Sequence, residues 1–193
     1  MAKYYIADLH MGHENVIRFD NRPFSSVEEM DAEIIKRWNG VVTPGDTVYV
    51  LGDFIWRKGG DWKGTLSKLN GQIILIKGNH DPKQFSPEIR KLLAGVYEYH
   101  EVKDDGRHLT LCHYPILFYN KSYSDQSYML CGHVHVTGEN DLLQKYTKEV
   151  SEKYDGQRYV NRGHIINVGC MMPWMDYTPR TLDQILAGCG IVK

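Results

Sequence analysis

A series of side chains able to ligate a metal or move a proton runs along this chain, each just past a short apolar stretch. Asp8 and His10 follow Tyr4–Ala7. Asp53 follows Val48–Leu51 through Gly52. Asn79, His80 and Asp81 follow Ile73–Ile76 through Lys77 and Gly78. His113 follows Leu109–Cys112, and His133 and His135 follow Tyr128–Cys131 through Gly132. Taken singly, each reads as a loop histidine or a helix-capping aspartate. Taken together, five such blocks would crowd oxygen and imidazole donors into one place. Carboxylates and imidazoles so crowded need pairing or a cation, and no arginine or lysine accompanies them regularly. A bound metal is the economical explanation. Asp8 and His10 are two apart, as are His133 and His135, so in an extended segment both members leave on one side while Leu9 and Val134 turn to the other. Gly12, Gly52, Gly78 and Gly132 let backbone pass close to a crowded centre.

The elements that must position these groups are short. Tyr4–Ala7, Val48–Leu51, Ile73–Ile76, Leu109–Cys112, Tyr128–Cys131 and Ile165–Val168 read as strands, rich in β-branched or aromatic residues and bounded by Gly, Asn or Asp. Ser26–Asn39 reads as a helix with a Ser26/Glu29 capping box, a face of Met30, Ile34 and Trp38, and a stop at Gly40. Shorter helices are expected over 62–70 and 86–94, the second with Pro87 at its first position. A long one spans 139–154 with an apolar stripe of Leu142, Leu143, Tyr146 and Val150, and Thr181 with Gln184 caps a last one. Asp104-Asp105-Gly106 joins 97–103 to 108–112 as a β-hairpin. The first half reads as β-α-β units and the second adds antiparallel pairing, so the expectation is an α/β fold with mixed sheets. Ligands in open α/β sheets collect outside the carboxyl ends of strands, where every block above begins. The stretch 114–126 reads as a long surface loop. With no repeat or linker, one domain is expected over 1–193.

Composition narrows the classes further. The 193 residues carry 23 Lys+Arg against 24 Asp+Glu, a net charge of −1. The basic excess of a non-specific nucleic-acid binder is absent. No apolar run reaches about 18 residues, so no membrane span is expected. The N-terminal apolar run stops at Asp8, short of a signal-peptide core. Cys112, Cys131, Cys170 and Cys189 contain no C-x-x-C and read as reduced thiols of a cytoplasmic protein, with Cys112 and Cys131 as core packing. His100, His108 and His164 have no motif around them.

The series Asp8-x-His10, Gly52-Asp53, Gly78-Asn79-His80-Asp81, His113 and Gly132-His133-x-His135 resembles the calcineurin-like metallophosphoesterases, with all five blocks in order. Asn15–Phe24, Asn167-Val168-Gly169 and Trp174–Pro179 resemble the small bacterial and phage members. The resemblance implies two packed β-sheets flanked by helices around a two-metal site. Asp8, His10, Asp53 and His135 would hold one ion; Asp53, Asn79, His113 and His133 would hold the other, with Asp53 bridging. His80 would face the substrate. Two divalent ions outweigh Asp8, Asp53 and a hydroxide, leaving a centre attractive to phosphate. Ions about 3.5 to 4 Å apart clamp an in-line displacement and activate the attacking hydroxide. His80 is then the proton donor to the leaving alkoxide. Manganese is the first expectation for the metal, with iron, nickel, cobalt or zinc accepted by the same donors.

The chain departs from the protein Ser/Thr phosphatase branch, which places another Asp three residues after the bridging one to orient the catalytic histidine. Trp56 stands there instead. Arg57 matches a phosphate-binding arginine of that branch, against the bland reading of a surface ion pair. His13 is a second substrate-side candidate, against a solvated helix start. Asn15, Arg18 and Arg22 could line the entrance, with Arg22 alternatively fixing a loop before Pro23. The aromatic cluster from Tyr114 to Tyr128, with Trp174 and Tyr177, reads as cover for the sheet before it reads as a stacking platform. The expected activity is hydrolysis of small phosphate esters, nucleotides among them, with phosphodiesters favoured. The alternatives on the same centre are a phosphomonoesterase or a nucleotide pyrophosphohydrolase. A non-catalytic scaffold, as in a retromer subunit of this fold, would show lost ligands, and none is lost here. A structural zinc site would be rich in cysteine.

Overall fold

The computed structural model describes residues 1–56, 60–153 and 160–191. Two four-stranded sheets face each other, with helices on their outer sides. The first sheet takes β1 (Lys3–Ile6), β2 (Thr47–Val50), β3 (Gln72–Ile76) and β4 (Gly95–Tyr97) in that order. All three pairings are parallel, with Tyr4 opposite Val48 and Val48 opposite Ile73. The second takes β5 (Tyr99–Asp104), β6 (Arg107–Cys112), β7 (Ser127–Cys131) and β8 (Ile165–Asn167). Here β5 and β6 are antiparallel, while β6, β7 and β8 run parallel. Mixed pairing is thus confined to the second sheet. Asp105 and Gly106 both take positive φ (46° and 78°), the left-handed pair that a two-residue hairpin demands.

The stretch 97–103 differs from the single hairpin arm expected of it. Its first residue ends β4 on the first sheet and β5 begins at Tyr99 on the second, so the chain changes sheets across Glu98. Among the helices, α1 (Glu14–Phe19) answers only to the helix start expected at His13, which is its N-cap residue. It is six residues long, lacks a side-chain N-cap and buries only Val16, too little for a periodic signal. In α2 (Val27–Val41), Ser26 Oγ accepts from Glu29 N–H at 3.2 Å, while the Glu29 carboxylate reaches Ser25 rather than Ser26. The helix runs past Gly40 by one residue. α3 (Trp62–Leu66) and α4 (Pro87–Leu92) are shorter than expected. α5 (Gly138–Lys153) buries Leu143 and Val150, but Leu142 is 68% exposed, so its stripe is narrower than the sequence suggests. The expected end of that helix at Tyr154 lies outside the described residues. α6 (Leu182–Gly188) carries the full Thr181/Gln184 capping box. No described helix is long and apolar enough to cross a membrane.

Strand β7 shows how the layers meet. All five of its residues are buried, and alternation sorts them. Tyr128 and Leu130 join the main core between the sheets, with Val48, Leu75, Leu109 and Ile166. Met129 and Cys131 join a second core with Leu143 of α5, Val134, Tyr119 and Ile165. A strand covered on both faces cannot slip by one residue without exchanging these two sets. The register of His133 and His135 beyond its end is therefore fixed. Cys112 packs against the second core, and all four cysteines are free thiols, in keeping with the packing role expected of Cys112 and Cys131. Tyr119 anchors the 114–126 loop in that core, its hydroxyl donating to His164 O at 3.2 Å.

Candidate metal centre

Beyond Ile6 the chain leaves β1 and runs beside the segment that follows β2. Asp8 N–H donates to Gly52 O (3.0 Å) and His10 N–H to Asp53 O (2.9 Å). On the other side Ala7 N–H donates to Val168 O and Cys170 N–H to Ala7 O, so this one strand end stitches the two sheets together. The expected donors are delivered here, by a backbone different from the extended one assumed from their spacing. Asp8 (φ 56°), His10 (49°), Asp53 (50°), His133 (70°) and His135 (42°) are all left-handed. Such φ values in non-glycine residues cost of order 1–3 kcal/mol each and persist where surrounding structure enforces them. Leu9 and Val134 do turn into the core as expected. The loops pass so close that a Cβ at Gly52 (φ 84°) would lie 2.7 Å from Gly78 Cα, and one at Gly132 would lie 2.6 Å from Asp8 Oδ2.

The ring nitrogens are set by what holds their far sides. His113 Nδ1 lies 2.9 Å from Leu51 O, an acceptor, so the proton sits on Nδ1. Nε2 then points its lone pair at Asn79 Oδ1 (3.0 Å) and Asp53 Oδ2 (3.6 Å). His135 Nδ1 donates to Asp20 Oδ1 at 2.7 Å. Its Nε2 faces His10 Nε2 (3.3 Å) and Asp8 Oδ1 (3.8 Å). His10 Nε2 is in turn 3.6 Å from Asp53 Oδ2. The inward Nε2 lone pairs of His113 and His135 therefore stand among carboxylate and amide oxygens. The donor atoms of Asp8, His10 and His135, and those of Asp8, Asp53 and His113, lie within 4.8 Å of one another. No lysine or arginine side chain among the described residues lines this cavity. The donor set thus fits divalent cations and is unfavourable without them. Burial pushes the Asp8 carboxyl up to about 7, with the Asp53 charge adding to it. Burial pushes His10, His113 and His133 below the ordinary imidazole range. His135 moves the other way: burial opposes its proton, and the hydrogen bond to Asp20 with the Asp8 and Asp20 charges outweighs that.

Residues outside the expected ligand set complete the frame, Arg22 in the loop-fixing role of its alternative reading. The buried Arg22 guanidinium donates to Asp8 O and Leu9 O, both at 2.8 Å, and grips Asp20 Oδ2 at 2.9 Å. It fixes the ligand loop and takes no place at the entrance, whereas Asn15 and Arg18 are exposed. Asp81 ties two loops together, accepting from Gly78 N–H (2.8 Å), Asp53 N–H (3.0 Å) and Phe54 N–H (3.1 Å). Asn167 donates to His135 O at 3.1 Å, and Trp174 Nε1–H to Asn167 O at 3.0 Å. Asp20 and His135 are 115 residues apart in sequence, and no local pattern links them.

Of the remaining candidates, His133 stands ring to ring with His113 (centroids 5.1 Å apart), its backbone N–H donating to Asp8. His80 sits at the mouth, its side chain 45% exposed, its backbone N–H on Asp53 Oδ1 (2.8 Å) and its Nε2 4.0 Å from Asp53 Oδ2. His13 is stacked on Trp56 with centroids 3.8 Å apart. Arg57 lies outside the described residues.

Facing sheets that present oxygen and imidazole donors at converging strand ends define a metal-dependent phosphoesterase. The calcineurin-like phosphoesterase superfamily domain matches residues 1–179, and the chain belongs to that superfamily. An uncharacterised protein of Methanocaldococcus jannaschii is 40% identical over 134 residues, 68% of each chain. The gene 66 protein of Mycobacterium phage L5 is 35% identical over 101 residues, 49% of this chain and 47% of its own. Among solved structures, a protein of unknown function from Aquifex aeolicus is 25% identical, with 99% of both chains covered and a TM-score of 0.61.

Proposed function

We propose that this chain is a dinuclear phosphodiesterase acting on small phosphate esters. The observation that carries the reading is the place of Asp53 Oδ2, 3.6 Å from both His10 Nε2 and His113 Nε2. One carboxylate oxygen equidistant from two imidazoles suits a ligand shared by two ions. Asp8, His10 and His135 complete one side; Asn79, His113 and His133 complete the other. Divalent ions held there would supply positive charge against phosphate oxygens and acidify a water; manganese is the ion we propose, and the same donors accept iron, nickel, cobalt or zinc.

The residues of the chain then divide the remaining work. Leu51 O and Asp20 hold the His113 and His135 tautomers, so that both Nε2 lone pairs face inward. Arg22, spent on two carbonyls and Asp20, adds no unpaired charge. His80, half exposed at the mouth, is placed to give its ring proton to the departing alkoxide. We read diesters as favoured over monoesters. In our reading the protein works in the cytoplasm.

The test is turnover of methyl 4-nitrophenyl phosphate and 4-nitrophenyl phosphate by metal-stripped protein, before and after adding manganese. The stripped protein should be inactive, and manganese should restore diester cleavage ahead of monoester cleavage. Undiminished turnover in excess chelator counts against the metal mechanism, and a monoester preference counts against the diester assignment.

A further inference from the structure

The cavity over the centre measures about 470 Å³, within the size range of small-ligand sites. Its floor is the donor cluster, but one wall is aromatic. Trp56 and His13 lie nearly parallel (5° between planes, centroids 3.8 Å apart). Phe19 stands edge-on to His13 at 6.4 Å and is 66% exposed. Trp56 also approaches His80 (5.2 Å) and His10 (6.4 Å), so the plate stands about one ring-width from the donors. Leaving Phe19 in water beside a partly exposed indole costs hydrophobic free energy that burial in the core would have recovered. In the phosphatase branch the Trp56 position holds a carboxylate. Here the same place carries a flat apolar surface beside the proton donor.

Resting on the phosphoesterase reading, we propose that the substrate is a nucleotide ester and that Trp56, backed by His13, is the surface on which its base stacks. A phosphate on the floor would leave a planar group, one sugar away, against this wall. Stacking on an aromatic plate tolerates any base, because every base offers a π-face. Trp56 is thereby a specificity-determining residue, separate from the ligands that hold the phosphate.

The probes are adenosine 5′-monophosphate and ribose 5-phosphate, which share the sugar phosphate and differ at C1′, base against hydroxyl. Their inhibition constants are read from initial rates of methyl 4-nitrophenyl phosphate hydrolysis by the manganese-loaded protein, and their dissociation constants from calorimetry, which needs no turnover. The nucleotide should bind roughly ten-fold tighter than the sugar phosphate, the scale of one base stacked on one aromatic side chain. Trp56→Ala should abolish that ratio while leaving ribose 5-phosphate unchanged, and Trp56→Phe should keep most of it. Equal binding of the two probes by the parent protein overturns the proposal, and so does an alanine variant that weakens both alike, the mark of a merely structural tryptophan. If calorimetry shows the base preference but the reporter ester is never cleaved, the stacking surface stands and the phosphoesterase reading falls. Cleavage without base preference does the opposite: the phosphoesterase reading stands and the stacking surface falls.

Discussion

The floor of the cavity and its mouth are built on opposite principles. On the floor, Asp8, Asp53 and His113 are buried almost completely, and left-handed turns fix two of them. Backbone amides or carbonyls hold all three: Asp8 receives His133 N–H, Asp53 receives His80 N–H, and His113 is pinned by Leu51 O. At the mouth, the rings of His13 and His80 both lie against Trp56, and Phe19 is 66% exposed. Strand ends thus hold the groups proposed to meet ions, while a short helix and loops hold those proposed to meet substrate. The floor resembles the superfamily in every block; the mouth is where Trp56 departs from the protein Ser/Thr phosphatase branch. In our reading metal is held below, while the proton donor and the base-selective surface sit above.

If that division is right, damage to the floor should cost metal and damage to the mouth should not. Asp53→Asn carries the largest expected effect. It should lower the content of both ions, measured by elemental analysis, and cut turnover by more than the roughly 10- to 100-fold typical of losing an outer partner. Full occupancy in that variant would remove the shared-ligand role. His80→Ala should keep its metal yet lose about 10²–10⁴-fold in turnover of alkoxide-leaving esters, the usual scale for a lost proton donor. The loss should be small with 4-nitrophenolate, which departs without a proton. A variant as fast as the parent on alkyl esters would take His80 out of the mechanism.

The floor was legible in the sequence because its donors are chemical types placed at strand ends, and the ends of neighbouring parallel strands must lie together. The turn conformations were not legible. The two-residue spacing of Asp8 and His10 reads as extended backbone, but φ is a property of the closed structure, enforced by Gly52 O and Asp53 O accepting from their amides. The Asp105-Gly106 hairpin was legible because its turn type demands those residues. The change of sheet at Glu98 was not, because a single residue carries no periodicity. Asp20 escapes a sequence reading for a third reason: its partner His135 is joined to it only by the fold.

Asp20 bridges the two regions, since α1 belongs to the mouth and its end reaches down to a floor histidine. Asp20→Asn should keep the fold and weaken metal binding by about 10- to 100-fold, as outer carboxylates on ligand histidines do. Calorimetric titration with manganese measures this. Unaltered affinity would make the Asp20–His135 pair a surface detail, and a collapse as deep as that of Asp53→Asn would erase the distinction between floor and frame.

The smallest effects concern protons. Burial holds Asp8 up at about 7, well above its ordinary value of 3.8. Between those two values the empty folded protein binds a proton that the unfolded chain does not, so this contribution to stability is present at low pH and is lost as pH rises through about 7. Asp81, also raised to about 7 by burial, acts in the same direction. The lowered imidazoles of His10, His113 and His133 act oppositely, contributing stability above the ordinary imidazole pKa that is lost on acidification. A cation, however, needs Asp8 ionised and the imidazoles neutral, so both sets give metal binding one sign. Manganese should bind more tightly at pH 8 than at pH 6 and should release protons at pH 6. Calorimetry in two buffers of different ionisation heat counts those protons. The mouth should behave otherwise. Burial lowers the His13 pKa, which disfavours a proton on that ring, and Trp56 does not titrate. The ratio of adenosine 5′-monophosphate to ribose 5-phosphate binding should then be flat from pH 6 to pH 8 while metal affinity climbs. A base preference that rose and fell with the metal would mean that one rigid body sets both, and that the division between floor and mouth is wrong.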